Sequence, residues 1–114
     1  PSSVILAVMA SGLNGQSFAF NGYLPVKPPE RVQAIRRFER RAHAEGQSQL
    51  FIEAPYRNVK LMEQLLQSLA PETRLTVAMD ITAPGEFIRT LRVREWRAAE
   101  LPAMNKRPAI FTIG

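Results

Sequence analysis

Leu50-Phe51-Ile52-Glu53-Ala54-Pro55-Tyr56-Arg57-Asn58 is the stretch on which the reading of this chain turns. An apolar, strand-like run stops at a carboxylate and turns on a proline. It then exposes an aromatic ring and an arginine, and it reaches Asn58, a residue type that favours the start of a helix. In α/β proteins, ligands sit where the C-terminal ends of strands meet the N-termini of helices. Glu53, Tyr56, Arg57 and Asn58 fall at such a junction. The plainer alternative is a capped helix start beside a local Glu–Arg pair.

Working outward, the run Gln49–Glu53 is expected to be a strand. The segment before it, Glu30 to Glu45, places Val32, Ile35, Phe38 or Glu39, and Ala42 in an apolar stripe at helical spacing, with Gly46 as the stop. Arg31, Arg36, Arg37, Arg40 and Arg41 cover the rest of that helix. Pro25, Pro28 and Pro29 form a stiff connector, and Pro29 suits a first helical turn. Further upstream, Phe18 to Tyr23 alternates as a short strand, Leu13 to Ser17 is a loop, and Val4 to Ser11 is a helix capped by Ser2 or Ser3 and ended by Gly12.

Downstream, Asn58 opens an amphipathic helix with Val59, Met62, Leu65, Leu66 and Leu69 as its core stripe, ended by Pro71. Arg74 to Asp80 alternates as a strand with two unlike faces. Ala83-Pro84-Gly85 is a turn, Glu86 to Arg92 a strand, and Val93 to Glu100 a helix carrying Trp96. Pro102 to Arg107 is a loop, and Ala109 to Ile113 is a last strand that closes the domain. The order α, β, α, β, α, β, β, α, β gives one α/β domain over residues 1–114, with a mixed five-stranded sheet packed by about four helices. The 74–80 and 86–92 strands are too close in sequence for a crossover, so they are expected to pair antiparallel.

Composition bounds the function. The chain has 114 residues, 46% of them apolar and 22% charged, the balance of a folded single domain. No cysteine is present, which excludes disulfides and thiolate metal sites and suits a reducing cytoplasm. The longest apolar run, Val4–Ala10, falls far short of the ~20 residues of a membrane span. Pro1-Ser2-Ser3 runs abruptly into that apolar segment, which reads as a cut from a longer protein. The net charge of +5 permits contact with a polyanion such as nucleic acid.

The chemistry-bearing residues are sparse. No glycine-rich phosphate loop and no metal-ligand cluster is visible, and His43 reads as a solvated residue of the arginine-rich helix. No catalytic residue is assigned. The arginines read either as a phosphate-holding face or as a solvated face laced by Glu30, Glu39 and Glu45. Phe18, Phe20 and Tyr23 read as sheet packing before base-stacking platforms. Glu53 and Asp80, at neighbouring strand ends, either hydrogen-bond a ribose or an amino group, or cap local turns.

Six short segments then stand in a telling order. They are Pro-Ser-Ser…Ala-Ser-Gly-Leu (1–13), Phe-Asn-Gly-Tyr-Leu-Pro (20–25), Phe-Ile-Glu-Ala-Pro-Tyr-Arg (51–57), Asp-Ile-Thr-Ala-Pro-Gly-Glu (80–86), Arg-Glu-Trp (94–96) and Arg-Pro-Ala-Ile-Phe-Thr-Ile-Gly (107–114). Together they resemble the C-terminal domain of the tetrapyrrole (corrin/porphyrin) methylase family. The closest branch is similar to bacterial 16S rRNA cytidine-2′-O-methyltransferases.

The resemblance implies a two-domain, cytoplasmic, homodimeric enzyme using S-adenosylmethionine, which lies between the domains. The N-terminal domain with its glycine-rich loop is not in these 114 residues. Ser2 and Ser3 would end the interdomain segment and contact the cofactor. Ile52, Glu53 and Ala54, and likewise Met79, Asp80 and Ile81, would line its pocket. Backbone near Pro108 and Ala109 would touch the adenine. Tyr56 and Arg57 would face the substrate, either an rRNA ribose 2′-hydroxyl or a tetrapyrrole ring; the rRNA branch more usually has histidine where Tyr56 stands. By itself the chain is expected to bind cofactor weakly and not to turn over. The alternative is a non-catalytic basic module for RNA binding or dimerisation.

Overall fold

The computed structural model describes residues 3–13 and 17–114. Its elements are α1 (Ser3–Ser11), β1 (Phe18–Tyr23), α2 (Pro28–Glu45), β2 (Ser48–Ile52), α3 (Asn58–Ser68), β3 (Arg74–Met79), β4 (Phe87–Arg92), α4 (Val93–Ala98) and β5 (Ala109–Ile113). A single 3₁₀ turn, Pro55–Arg57, separates β2 from α3. The order matches the sequence expectation, and α4 stops two residues earlier than Glu100.

Local chemistry sets these limits. Pro28 and Pro29 sit in the first turn of α2, where a missing N–H costs nothing. The same helix ends at Gly46, whose φ of 60° places it in the left-handed region and lets its N–H reach the Ala42 carbonyl. The Glu95 carboxylate accepts the Arg92 backbone N–H at 2.9 Å and fixes the start of α4.

The sheet order is β1-β2-β5-β3-β4. β1 and β2 are parallel, joined through α2, while every other pair is antiparallel, including β3 with β4. β5 therefore lies in the middle of the sheet, and all five of its residues are buried. Its apolar run, interrupted only by Thr112, fits a strand covered on both faces.

Alternation along the strands divides two cores. Phe51, Val77, Met79, Phe111 and Ile113 face α2, α3 and α4, together with Ile35, Leu61, Met62, Leu65 and Trp96. Trp96 donates its indole N–H to the Leu75 carbonyl at 2.8 Å, so the one polar atom of this buried ring is satisfied. Leu50, Ala78 and Ile110 face the other way, against Ala7 and Val8 of α1. The α3 stripe is rotated from the expected one: Leu61 and Gln64 are buried, whereas Val59 is exposed.

Candidate functional site

β2 ends at Ile52, β3 ends at Met79 and β5 begins at Ala109. Because β5 runs antiparallel to both, these three ends meet at one edge, with Ile52 opposite Ile110 and Met79 opposite Ala109. Glu53 and Asp80 thus flank the start of β5. They are not at neighbouring strand ends, as the sequence suggested, because the chain's last strand inserts between them.

An open crevice of about 530 Å³ runs along this edge on the α1 side of the sheet. Its floor is Ile52, Ala78 and Ile110, the side chains that alternation turns toward α1. Its walls come from Glu53 and Pro55 on one side, and from Asp80, Ile81 and Ala83 on the other. Pro108 and Ala109 stand between them, and Val4 and Phe20 close the far end. A mostly apolar cleft of this size is what a small-molecule site requires.

Six of the expected cofactor residues, Ile52, Glu53, Asp80, Ile81, Pro108 and Ala109, border the crevice. Ala54 sits in the turn beside it and donates its N–H to Glu53 Oε1 at 2.8 Å. The Met79 side chain is buried in the opposite core, so only its backbone belongs to this edge. Ser2 and the side chain of Ser3 lie outside the described residues. Tyr56 is 63% exposed and lies past Pro55, off the crevice lining. Arg57 Nη1 donates to the Tyr56 hydroxyl at 2.6 Å, and its guanidinium stands 4.7 Å from the Tyr56 ring centroid.

Glu53 is fully engaged. One oxygen takes the Arg31 guanidinium in a buried ion pair, and the other accepts from the Ala54 N–H and, at 3.3 Å, from Arg57 Nε. Burial alone raises its pKa, but the Ala54 N–H and the two guanidiniums outweigh that, and the net pKa lies below the usual 4.5. The Glu53 carboxylate therefore anchors the end of β2 to α2, with both of its oxygens already accepting hydrogen bonds. Asp80 accepts from Arg107 Nε at 2.7 Å. Arg107 also donates to the carbonyls of Gly85 at 2.7 Å and Ala103 at 2.8 Å, tying the turn after β3 to the approach to β5. Asp80 adopts φ 51°, in the left-handed region that aspartate tolerates better than most residues, and its N–H reaches the Pro108 carbonyl at 3.1 Å.

Asn58 does not cap α3. Arg57 occupies the N-cap position, with no side-chain bond. The Asn58 amide is buried and donates instead to the Arg107 carbonyl, clamping the loop that leads into β5. Arg31, expected on the charged face of α2, is 1% exposed. Besides Glu53 it binds the Pro25 carbonyl at 2.7 Å and Gln64 Oε1 at 3.1 Å. Its spacing was the available signal: Arg31 lies three and four residues before Ala34 and Ile35, on the buried face.

His43 is exposed and touches Thr73 Oγ1 at 3.2 Å. Among the described residues, no group of histidines and carboxylates could hold a metal ion. Among them too, no helix is long and apolar enough to cross a membrane.

No family model matches the chain. Curated relatives do. It is 30% identical over 95 residues to the ribosomal RNA small subunit methyltransferase I of Vibrio cholerae, covering 83% of this chain and 32% of that protein. It is 28% identical over 107 residues to the protein of the same name from Escherichia coli O157:H7, covering 94% and 36%. The chain thus spans about a third of the length of the curated relatives it matches. Among solved structures, it aligns with the methyltransferase CobJ at a TM-score of 0.60 and 17% identity, covering 99% of this chain and 47% of that one. It aligns with uroporphyrin-III-C-methyltransferase from Thermus thermophilus at 0.53 and 23%, with the same coverages. By its mixed five-stranded architecture the chain shares the fold of these two solved structures, and in sequence it is similar to the curated ribosomal RNA methyltransferases over about a third of their length.

Proposed function

We propose that this chain is the C-terminal half of an S-adenosylmethionine-dependent methyltransferase, and that the crevice at the ends of β2 and β3 is one wall of its cofactor cleft. The observation that carries this is the meeting of Ile52, Asp80, Ile81, Pro108 and Ala109 around one apolar slot. The names of the relatives support methyl transfer and, among substrates, ribosomal RNA; the solved neighbours include an enzyme named for a uroporphyrin.

The residues present suit the adenosyl end of the cofactor. A flat heteroaromatic group gains from an apolar floor of Ile52, Ala78 and Ile110, with backbone polar groups at the strand ends. They do not suit its charged amino-acid end, because the Glu53 oxygens are taken and Asp80 is paired with Arg107. That end requires groups from a preceding domain, which supports reading residues 1–114 as half of a cleft. The bound cofactor supplies an electrophilic methyl group. What this chain contributes is alignment and exclusion of water, which such a transfer needs more than a strong acid or base. Tyr56 and Arg57, held by Glu53, form the rim on the acceptor side. The assembled enzyme is a cytoplasmic homodimer in this reading, acting on an rRNA ribose or a tetrapyrrole ring.

The test is transfer of a tritiated methyl group by the protein that contains this chain, offered small ribosomal subunits and, separately, a uroporphyrinogen-like ring. Label entering either one supports the reading and names the acceptor. No transfer to any acceptor, by a protein that binds the cofactor, overturns it.

A further inference from the structure

We infer that the outer face of α2 is an RNA-binding surface, on which Arg36, Arg37, Arg40 and Arg41 hold backbone phosphates away from the cofactor crevice. This rests on the ribosomal-RNA arm of the reading above.

The four side chains are exposed. At 100° and 1.5 Å per residue they fall within an arc of about 140° and a length of about 7.5 Å along the helix. Among the described residues no ion pair involves any of the four, and Glu30 and Glu45 make none. Glu39, the carboxylate best placed to lace this face, turns instead to the next loop, where it accepts from the Ala70 N–H at 2.8 Å and from the Thr73 hydroxyl. Arg36 with Arg40, and Arg37 with Arg41, are like charges one turn apart, an arrangement that weakens a helix. A face that keeps this repulsion has the charge of a polyanion site.

The ring of Phe38 organises the cluster. Arg37 and Arg41 lie over it, 5.0 and 5.4 Å from the centroid, while Phe38 packs on Phe51 of β2 at 5.3 Å. Two guanidiniums are thereby anchored through a core aromatic to the sheet, with less side-chain freedom to lose on binding. Arginine's planar fork matches phosphate oxygens two at a time. A lipid surface fits less well, because the apolar face that a membrane-lying helix would insert is already spent: Ala34, Ile35 and Ala42 are buried.

The experiment is binding of the 114-residue chain to a fluorescein-labelled RNA hairpin, by anisotropy, from 50 to 200 mM salt. The quadruple variant R36Q/R37Q/R40Q/R41Q should flatten the slope of log affinity against log salt by about 3, so that the original chain's affinity falls about 60-fold more over that range. R37Q/R41Q should lose about half of that. R89Q/R94Q, which removes the same charge from β4 and α4, should change the slope by less than half as much as R37Q/R41Q. The quadruple lysine variant keeps the slope while binding more weakly, because the charge stays and the fork is lost. Circular dichroism checks that each variant folds. Original-like binding and slope in the quadruple glutamine variant overturns the proposal. So does a chain that ignores RNA but binds polyglutamate or anionic vesicles. Since binding is read and not methyl transfer, either result leaves the methyltransferase reading standing. Conversely, methylation of a ring alone removes the rRNA arm while the slope still reports on this face.

Discussion

Arg31 of α2 and Glu53, one residue past the end of β2, form an ion pair in which each side chain is only 2% exposed. It joins the helix layer to the edge of the crevice, and Glu53 passes the constraint on to Arg57 and Tyr56. Breaking a pair this deeply buried leaves a desolvated charge short of its main counterion, with Glu53 keeping only Arg57 at 3.3 Å. Arg31→Met or Glu53→Leu is therefore expected to cost about 3–5 kcal/mol in urea unfolding. The double change R31M/E53L removes both charges together and should be more stable than either single variant. Losses that simply add would show that the two residues do not act as a pair.

Acid should reveal the same carboxylate. The pKa of Glu53 in the folded protein lies below its ordinary 4.5. The folded state therefore binds fewer protons at this site than the unfolded chain. The stabilisation is fully present above that ordinary value and is lost as pH falls through the folded one. Urea midpoints taken at pH 7, 5, 4 and 3 should fall mainly across the last steps, and E53Q should lack that part of the decline. Equal slopes in the two proteins would remove Glu53 from the account.

Thr112 offers a change in the opposite direction. It lies on β5 between Leu50 and Thr76, it is fully buried, and its hydroxyl has no partner. Thr76 directs its own hydroxyl to Thr90 at 2.7 Å and so does not serve it. Thr112→Val should raise stability by about 0.5–2 kcal/mol by removing an unmet polar group at nearly constant volume. Calorimetry should then place the melting midpoint higher by roughly 4–8 °C per kcal/mol. A lower midpoint would mean that the hydroxyl is satisfied.

Ala83 borders the crevice from an exposed turn, away from either core. Ala83→Trp should fill the slot and abolish cofactor binding in the protein that contains this chain, with stability changed by no more than about 0.5 kcal/mol. Retained binding would place the cofactor elsewhere.

Much of this was legible from periodicity and punctuation. The run from Leu50 to Ile52, the alternation of Leu75, Val77 and Met79, and the stops at Gly46 and Pro71 are local signals, and the elements followed them. Sheet order was not local. That Ala109–Ile113 inserts between β2 and β3 depends on contacts between distant segments, so the flanking positions of Glu53 and Asp80 could not be read off. Alternation did carry which face each strand residue serves, and it would have turned the Met79 side chain away from the site. Arg31 and Asn58 were misread for a common reason: residue type suggested surface charge and helix cap, and tertiary partners overrode both. Ile52, Glu53, Asp80, Ile81, Pro108 and Ala109 border one crevice, whereas the Met79 side chain lies in the opposite core.

The most direct test is an amide NMR titration of the 114-residue chain with S-adenosylmethionine into the millimolar range. Shifts should cluster at Ile52, Ala78, Asp80, Ile81, Ala109 and Ile110, with an affinity weaker than micromolar because only one wall is present. No shifts, or shifts centred on the far strand ends near Arg74 and Leu91, would contradict the assignment of the crevice. Micromolar or tighter binding would contradict the claim that half of the cleft lies in another domain.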